Sequence, residues 1–194
     1  MRLTKQNIPN YLTYARIVGI LPVCILMTLH APWATWGAAI LYALAAFTDW
    51  LDGYLSRKWN VVSEIGRFLD PIADKLLIAA VIVLLVANGT IAGIMLACPV
   101  LILLREMFIS GLREYLGPKK VIIPVTMMAK LKTTMQLVAC GILMLEPVSG
   151  LIIYILGQGL LVMATVLTVG SGWQYWQQTA RYFKSDDEHK SEAV

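Results

Sequence analysis

Histidine, cysteine and charge are all scarce in this chain. It has two histidines and three cysteines in 194 residues. Cys24, Cys98 and Cys140 each sit in an apolar stretch without paired spacing, so neither a disulfide framework nor a zinc pattern is present. They read as small buried hydrophobes. Only 14% of residues are charged, against 58% hydrophobic, and the mean hydropathy is +0.69. That is too little polar material to cover a soluble globule. Strand-like alternation is missing, which argues against an outer-membrane barrel. No cleavable signal pattern opens the chain, because Asn7-Ile8-Pro9-Asn10 interrupts it, and the first apolar span reads as retained. No internal repeat is evident.

What remains is a succession of apolar runs. A helix of about 20 residues crosses a bilayer, and six spans are expected, at about 12–30, 33–56, 70–89, 92–115, 126–146 and 150–176. The expected fold is therefore all-α: a polytopic membrane protein of one domain, residues 1–184, with a short N-terminal interfacial segment. A polar tail over 185–194 is expected to be disordered. The net charge of +4 does not point to nucleic acid, because of where the cations lie. Arg2 and Lys5 precede the first span, and Arg57, Lys58 and Arg67 lie between the second and third. Arg113, Lys119, Lys120, Lys130 and Lys132 surround the fourth connection, and Arg181, Lys184 and Lys190 follow the last span. The connections near 31–32, 90–91 and 147–149 carry no Lys or Arg. This alternation is the positive-inside signature, and it puts both termini in the cytoplasm.

The charges inside the spans carry the chemistry. Asp49, Asp52, Asp70 and Asp74 fall within one short window at the expected cytoplasmic ends of spans two and three. A carboxylate within a spanning helix costs roughly 2.5 kcal/mol or more on insertion scales. At the helical period Asp49, Asp52, Gly53, Ser56 and Arg57 share one broad face, and Asp70 and Asp74, four apart, share another. Two helices can thus aim four carboxylates at a common cation. Read alone, Asp70-Pro71 is an N-cap followed by proline at the first helical position, but a cap requires none of the other three acids. Asn10 or Thr13 can cap the first span, and the other is then available to a ligand. Arg16 lies about a turn inside that span, where snorkelling and a site role compete. Gly53 and Gly66 are packing glycines or places of close ligand approach. Lys75 follows Asp74 and can balance its charge.

Span four carries Arg105-Glu106 and Arg113-Glu114, with the two arginines on nearly one face. Glu106 reads as a counter-ion for some buried cation that the sequence does not identify. Lys130 and Lys132 open span five on different sides of a helix, so at most one is a direct ligand and the other snorkels. Carboxylates without nearby His or Cys select hard cations, Mg²⁺ or Mn²⁺. Two such ions sharing carboxylates would polarise a phosphoryl group, Arg57 would clamp a phosphate, and one acid would be left as a general base. A divalent-cation transporter would also line its path with Asp, but its sites usually lie near the bilayer midplane. A structural ion-pair network would leave negative charge unpaired.

The pattern Asp49-x₂-Asp52-Gly53-x₂-Ser56-Arg57-x₈-Gly66-x₃-Asp70-x₃-Asp74 resembles the signature of the CDP-alcohol phosphotransferases, with Ser56 where that motif usually has alanine. Asn7-Ile8-Pro9-Asn10 with Leu12, Thr13 and Arg16, Asp70-Pro71-x-Ala73-Asp74-Lys75, Arg105-Glu106 with Arg113-Glu114, and Lys130-x-Lys132-Thr133-Thr134 extend the likeness over roughly residues 5–176. They are similar to the bacterial branch that uses sn-glycerol 3-phosphate as acceptor. The resemblance implies a homodimer in the bacterial inner membrane with its site open to the cytoplasm. It implies transfer of the phosphatidyl group of CDP-diacylglycerol to sn-glycerol 3-phosphate with release of CMP, the committed step toward phosphatidylglycerol and cardiolipin. Asp49, Asp52, Asp70 and Asp74 would hold Mg²⁺ or Mn²⁺, with two ions expected, and Asp74 would be the base. Asp49, Gly53, Ser56, Arg57 and Gly66 would bind CDP-diacylglycerol. The acceptor is a dianion that needs fixed cations, so Arg105, Arg113, Lys130 and Lys132, with Thr133, Asn10 and Thr13, are its expected pocket. Inositol phosphate is the alternative acceptor; serine and phosphatidylglycerol call less clearly for such a cluster.

Overall fold

The computed structural model describes residues 8–59, 64–118 and 127–192. Among them are six α-helices and no strand: α1 (Ile8–Thr28), α2 (Pro32–Trp59), α3 (Glu64–Ala87), α4 (Ala97–Leu116), α5 (Met127–Met144) and α6 (Leu151–Glu192). Short 3-10 turns at Gly93–Leu96 and Glu146–Val148 lead into α4 and toward α6. Three segments are long and apolar enough to cross a bilayer by that measure alone: Tyr11–Thr28, Gly93–Leu116 and Leu151–Phe183. The other three helices carry Asp49, Asp52, Asp70, Asp74, Lys75, Lys130 and Lys132, which dilute their hydropathy. The chain is a multi-pass helical membrane protein, and its outer face suits lipid. Val18, Leu21 and Ile25 of α1, Leu104 and Met107 of α4, and Ile152 and Val166 of α6 are all exposed apolar side chains.

Two three-helix halves are recognisable. In the first, α1 packs on both α2 and α3; in the second, α6 packs on both α4 and α5. The halves meet where α5 touches α2 and α3, over a core that includes Val23, Tyr42, Val81, Ile82, Ala139, Leu143 and Leu161. Tyr42 ties the halves by donating from its hydroxyl to the Leu137 carbonyl at 3.0 Å. At the opposite end from the acids, Asn88 Nδ2 donates to the Met27 carbonyl (3.0 Å) and Gln158 Nε2 to the Thr90 carbonyl (2.8 Å). Gly89 adopts φ 79°, the left-handed conformation that stops α3 after Ala87.

The helix ends differ from the sequence expectation at three places. α3 starts at Glu64, so Pro71 lies inside the helix and Asp70 is not its N-cap. The proline removes one backbone donor, yet the helix continues on both sides of it because its apolar face is buried against α1 and α5. α1 starts at Ile8, so Thr13 is an interior residue and does not cap. At the other end, α6 runs helical to Glu192, through the stretch expected to be a disordered tail. No proline or glycine follows Gly172 to interrupt it.

Candidate active site

The four acids converge on a single face of α1. Thr13 and Arg16 are three residues apart, hence neighbours on that face, and both are buried. Thr13 Oγ1 donates to Asp70 Oδ1 at 2.7 Å. Arg16 Nη1 lies 2.8 Å from Asp49 Oδ1 and 2.9 Å from Asp74 Oδ1, and Nη2 pairs with Asp52 Oδ2. One turn of α1 therefore touches all four carboxylates. The Arg16 side chain is wholly enclosed and Asp52 nearly so, whereas Asp49 and Asp74 keep 37% and 40% of their side-chain surface open. The site has a closed floor and an accessible mouth. Snorkelling is ruled out as the account of Arg16: its guanidinium points at acids, not at headgroups.

The expected metal centre is thus occupied by an arginine fork. Among the described residues no group of three or more His, Cys, Asp or Glu is arranged as a ligand set. The physical reason is charge. Four clustered carboxylates repel one another, and the nearest fixed cation draws their oxygens to itself. The donor set nonetheless fits a hard divalent cation: it is all oxygen, and four carboxylates against one guanidinium leave three negative charges in excess.

Of the residues expected around the nucleotide, Gly66 is buried and Gly53 half-buried, next to the acids on α3 and α2. The side chains of Ser56, Arg57 and Asn10 lie outside the described residues. Phe47, Trp50 and Tyr54 form an exposed stack along α2, with ring centroids 5.8 Å apart at each step.

The second half holds the cations. Glu106 Oε1 accepts from Arg105 Nη1 at 3.1 Å and from Lys132 Nζ, so the counter-ion's partners are residues of its own helix and of α5. Arg105 Nη2 also donates to Ser171 Oγ on α6 at 3.1 Å. It lies flat against that helix because position 172 is glycine; a Cβ there would come within 2.9 Å of Arg105 Cγ. Arg113 stacks over the Tyr175 ring at 5.4 Å. Lys132 is buried and Lys130 exposed. Lys130 turns outward and is not brought to the cluster. Thr133 Oγ1 donates to its own helix at Ala129 O (3.3 Å), and Thr13 lies in the acid cluster.

Lys75 follows Asp74 in sequence, but its Nζ donates to Ser110 Oγ on α4. It therefore spans from the acid half to the cation half. Ser110 and Ser171 are missing from the residues expected at the site, and Arg16 and Lys75 stand in the motifs without an assigned role. Arg16 carries a signal as an arginine too deep for a helix end, and Lys75 as a lysine beside Asp74; serines on apolar helices carry none.

Residues 6–170 match the family model described as CDP-alcohol phosphatidyltransferase. Among similar proteins, one from Rickettsia felis is 44% identical over 185 residues, covering 94% of this chain and 100% of its own length. One from Rickettsia bellii is 42% identical over 180 residues (92% and 98%). One from Cereibacter sphaeroides is 38% identical over 181 residues (93% and 77%). All three carry the name CDP-diacylglycerol–glycerol-3-phosphate 3-phosphatidyltransferase.

Proposed function

The chain belongs to the CDP-alcohol phosphatidyltransferase family, and from that premise we propose that it transfers the phosphatidyl group of CDP-diacylglycerol to sn-glycerol 3-phosphate. The products are phosphatidylglycerophosphate and CMP. The observation that carries the reading is the division of the site: four carboxylates gathered on α1–α3, and a cation cluster on α4–α6, bridged by Lys75. Relatives bearing this activity in their names match over nine-tenths of the chain. A site of this kind suits two anionic substrates that must meet.

Asp49, Asp52, Asp70 and Asp74 are the residues to hold Mg²⁺ or Mn²⁺, two ions in this proposal. A divalent cation held by these acids would supply positive charge against the pyrophosphate of the donor. Asp74 has an open side chain and is assigned to accept the proton of the glycerol hydroxyl as that oxygen attacks the β-phosphate. Gly53, Gly66, Ser56 and Arg57 are assigned to the CDP group by motif position. Lys132, Arg105, Arg113 and Lys75 supply positive charge for the acceptor's phosphate. Serine, with a single carboxylate, calls for that cluster less clearly than a phosphate dianion does. The proposed setting is the bacterial inner membrane with the acid mouth toward the cytoplasm, following the Lys and Arg bias of the connections. The proposed assembly is a homodimer.

Purified protein in detergent, supplied with CDP-diacylglycerol, Mg²⁺ and radiolabelled glycerol 3-phosphate, tests the reading. Labelled lipid and CMP in equal amounts are expected. CMP release only with inositol phosphate, serine or phosphatidylglycerol would reassign the acceptor, and metal uptake into vesicles without a CDP-lipid would favour a transporter.

A further inference from the structure

The Arg16 guanidinium lies outside the family signature that pointed to the acids, yet among the described residues it is the best-connected charge. It is wholly enclosed, and through two nitrogens it reaches three carboxylates from two different helices. Its neighbour on the same face, Thr13, reaches the fourth. An enclosed guanidinium is tolerable in a membrane helix only when acids compensate it, and four clustered acids are tolerable only when a cation compensates them. Each therefore depends on the other. Lys75 does not serve, since it is directed to Ser110, and Arg105, Arg113 and Lys132 belong to α4 and α5.

We infer that Arg16 is the resident counter-cation of the carboxylate cluster: it positions Asp49, Asp52 and Asp74 when no divalent cation is bound, and so keeps α1, α2 and α3 assembled between turnovers. It is a positioning residue and takes no part in bond making. The inference rests on the proposed reading of the acids as a divalent-cation site. It has a thermodynamic signature. With Arg16 present, the folded state is only weakly dependent on divalent cations. With the charge removed, the repelling carboxylates lose their internal partner, and a bound cation becomes the remaining source of compensation. Stability and cation binding then become strongly linked.

The test is thermal unfolding of the full-length protein in detergent, in EDTA and in millimolar Mg²⁺, for the wild type, Arg16→Gln and Arg16→Lys. Arg16→Gln in EDTA is expected to melt about 10 °C below the wild type, as breaking a buried ion pair predicts for a chain of this size. Mg²⁺ is expected to restore most of that loss while moving the wild type by far less. Arg16→Lys keeps the charge but not the fork, and is expected between the two. Purification in Mg²⁺ followed by chelation keeps the experiment available if Arg16→Gln does not fold without the ion. A variant whose melting temperature falls equally in EDTA and in Mg²⁺ would mark Arg16 as packing only and overturn the inference. No fall in either would do the same. Mn²⁺ binding to the wild type, followed by electron paramagnetic resonance, separates the two claims: no bound Mn²⁺ rejects the cation site itself, whereas bound Mn²⁺ with an unlinked Arg16→Gln rejects only the role of Arg16.

Discussion

Replacing Glu106 by glutamine is the sharpest single perturbation of the cation half. The Glu106 carboxylate holds two cations, Arg105 Nη1 at 3.1 Å and Lys132 Nζ, whose side chains are only 10% and 6% exposed. Glutamine keeps the shape and one acceptor oxygen but removes the charge, leaving two enclosed cations facing each other. Breaking a buried pair from one side costs about 3–5 kcal/mol. For a chain of 150–250 residues each kcal/mol shifts the melting temperature by about 2–4 °C, so a fall of about 6–20 °C is expected. Lys132→Met should cost less, because Glu106 still pairs with Arg105. The double variant should cost less than the two singles added, by about 2 kcal/mol, since the lysine left stranded by the first change is removed by the second. The assay can use the protein's own chemistry: Cys98 and Cys140 are buried free thiols, so a thiol-reactive fluorophore reports unfolding as they emerge. Additive single effects, or a Glu106→Gln shift under about 2 °C, would refute the view that this carboxylate neutralises the cluster.

Other changes probe the reaction. Asp74→Asn should retain Mn²⁺ binding yet lose turnover by about 10²–10⁴-fold, the range for a general base, and near wild-type turnover would remove Asp74 from that role. Gly172→Ala places a methyl within 2.9 Å of Arg105; forcing the arginine off α6 should raise the KM for glycerol 3-phosphate and leave that for CDP-diacylglycerol within about twofold, at a stability cost of about 1–3 kcal/mol. Lys132→Gln should weaken acceptor use at least tenfold, by loss of about 1.4 kcal/mol or more of charge-assisted binding, while Lys130→Gln stays near wild type; equal effects would contradict the burial that separates them.

Much of this protein is legible in its residues one stretch at a time. Apolar runs in the sequence indicate six helices, because lipid demands continuous apolar helices whatever their packing, although α3 begins earlier and α6 ends later than those runs. The four acids announce themselves because their cost in a spanning helix must be recovered by function, and their spacing is specific enough to indicate the family. Helical periodicity even limits Lys130 and Lys132 to one inward residue. It does not say which, because that depends on how α5 is rotated against α6.

Tertiary structure decided the partners. Asp70-Pro71 has the local form of a helix start, yet α3 begins at Glu64, because packing against α1 and α5 outweighs one lost backbone hydrogen bond. Thr13 and Arg16 are 57 and 58 residues from Asp70 and Asp74 along the chain. Glu106 and Lys132, and Lys75 and Ser110, are likewise distant in sequence and adjacent in space. Local pattern reports what a side chain can do; only the docking of helices reports which opposite charge it meets. Compensation of buried charge is a property of pairs, and pairs exist only once the helices have assembled.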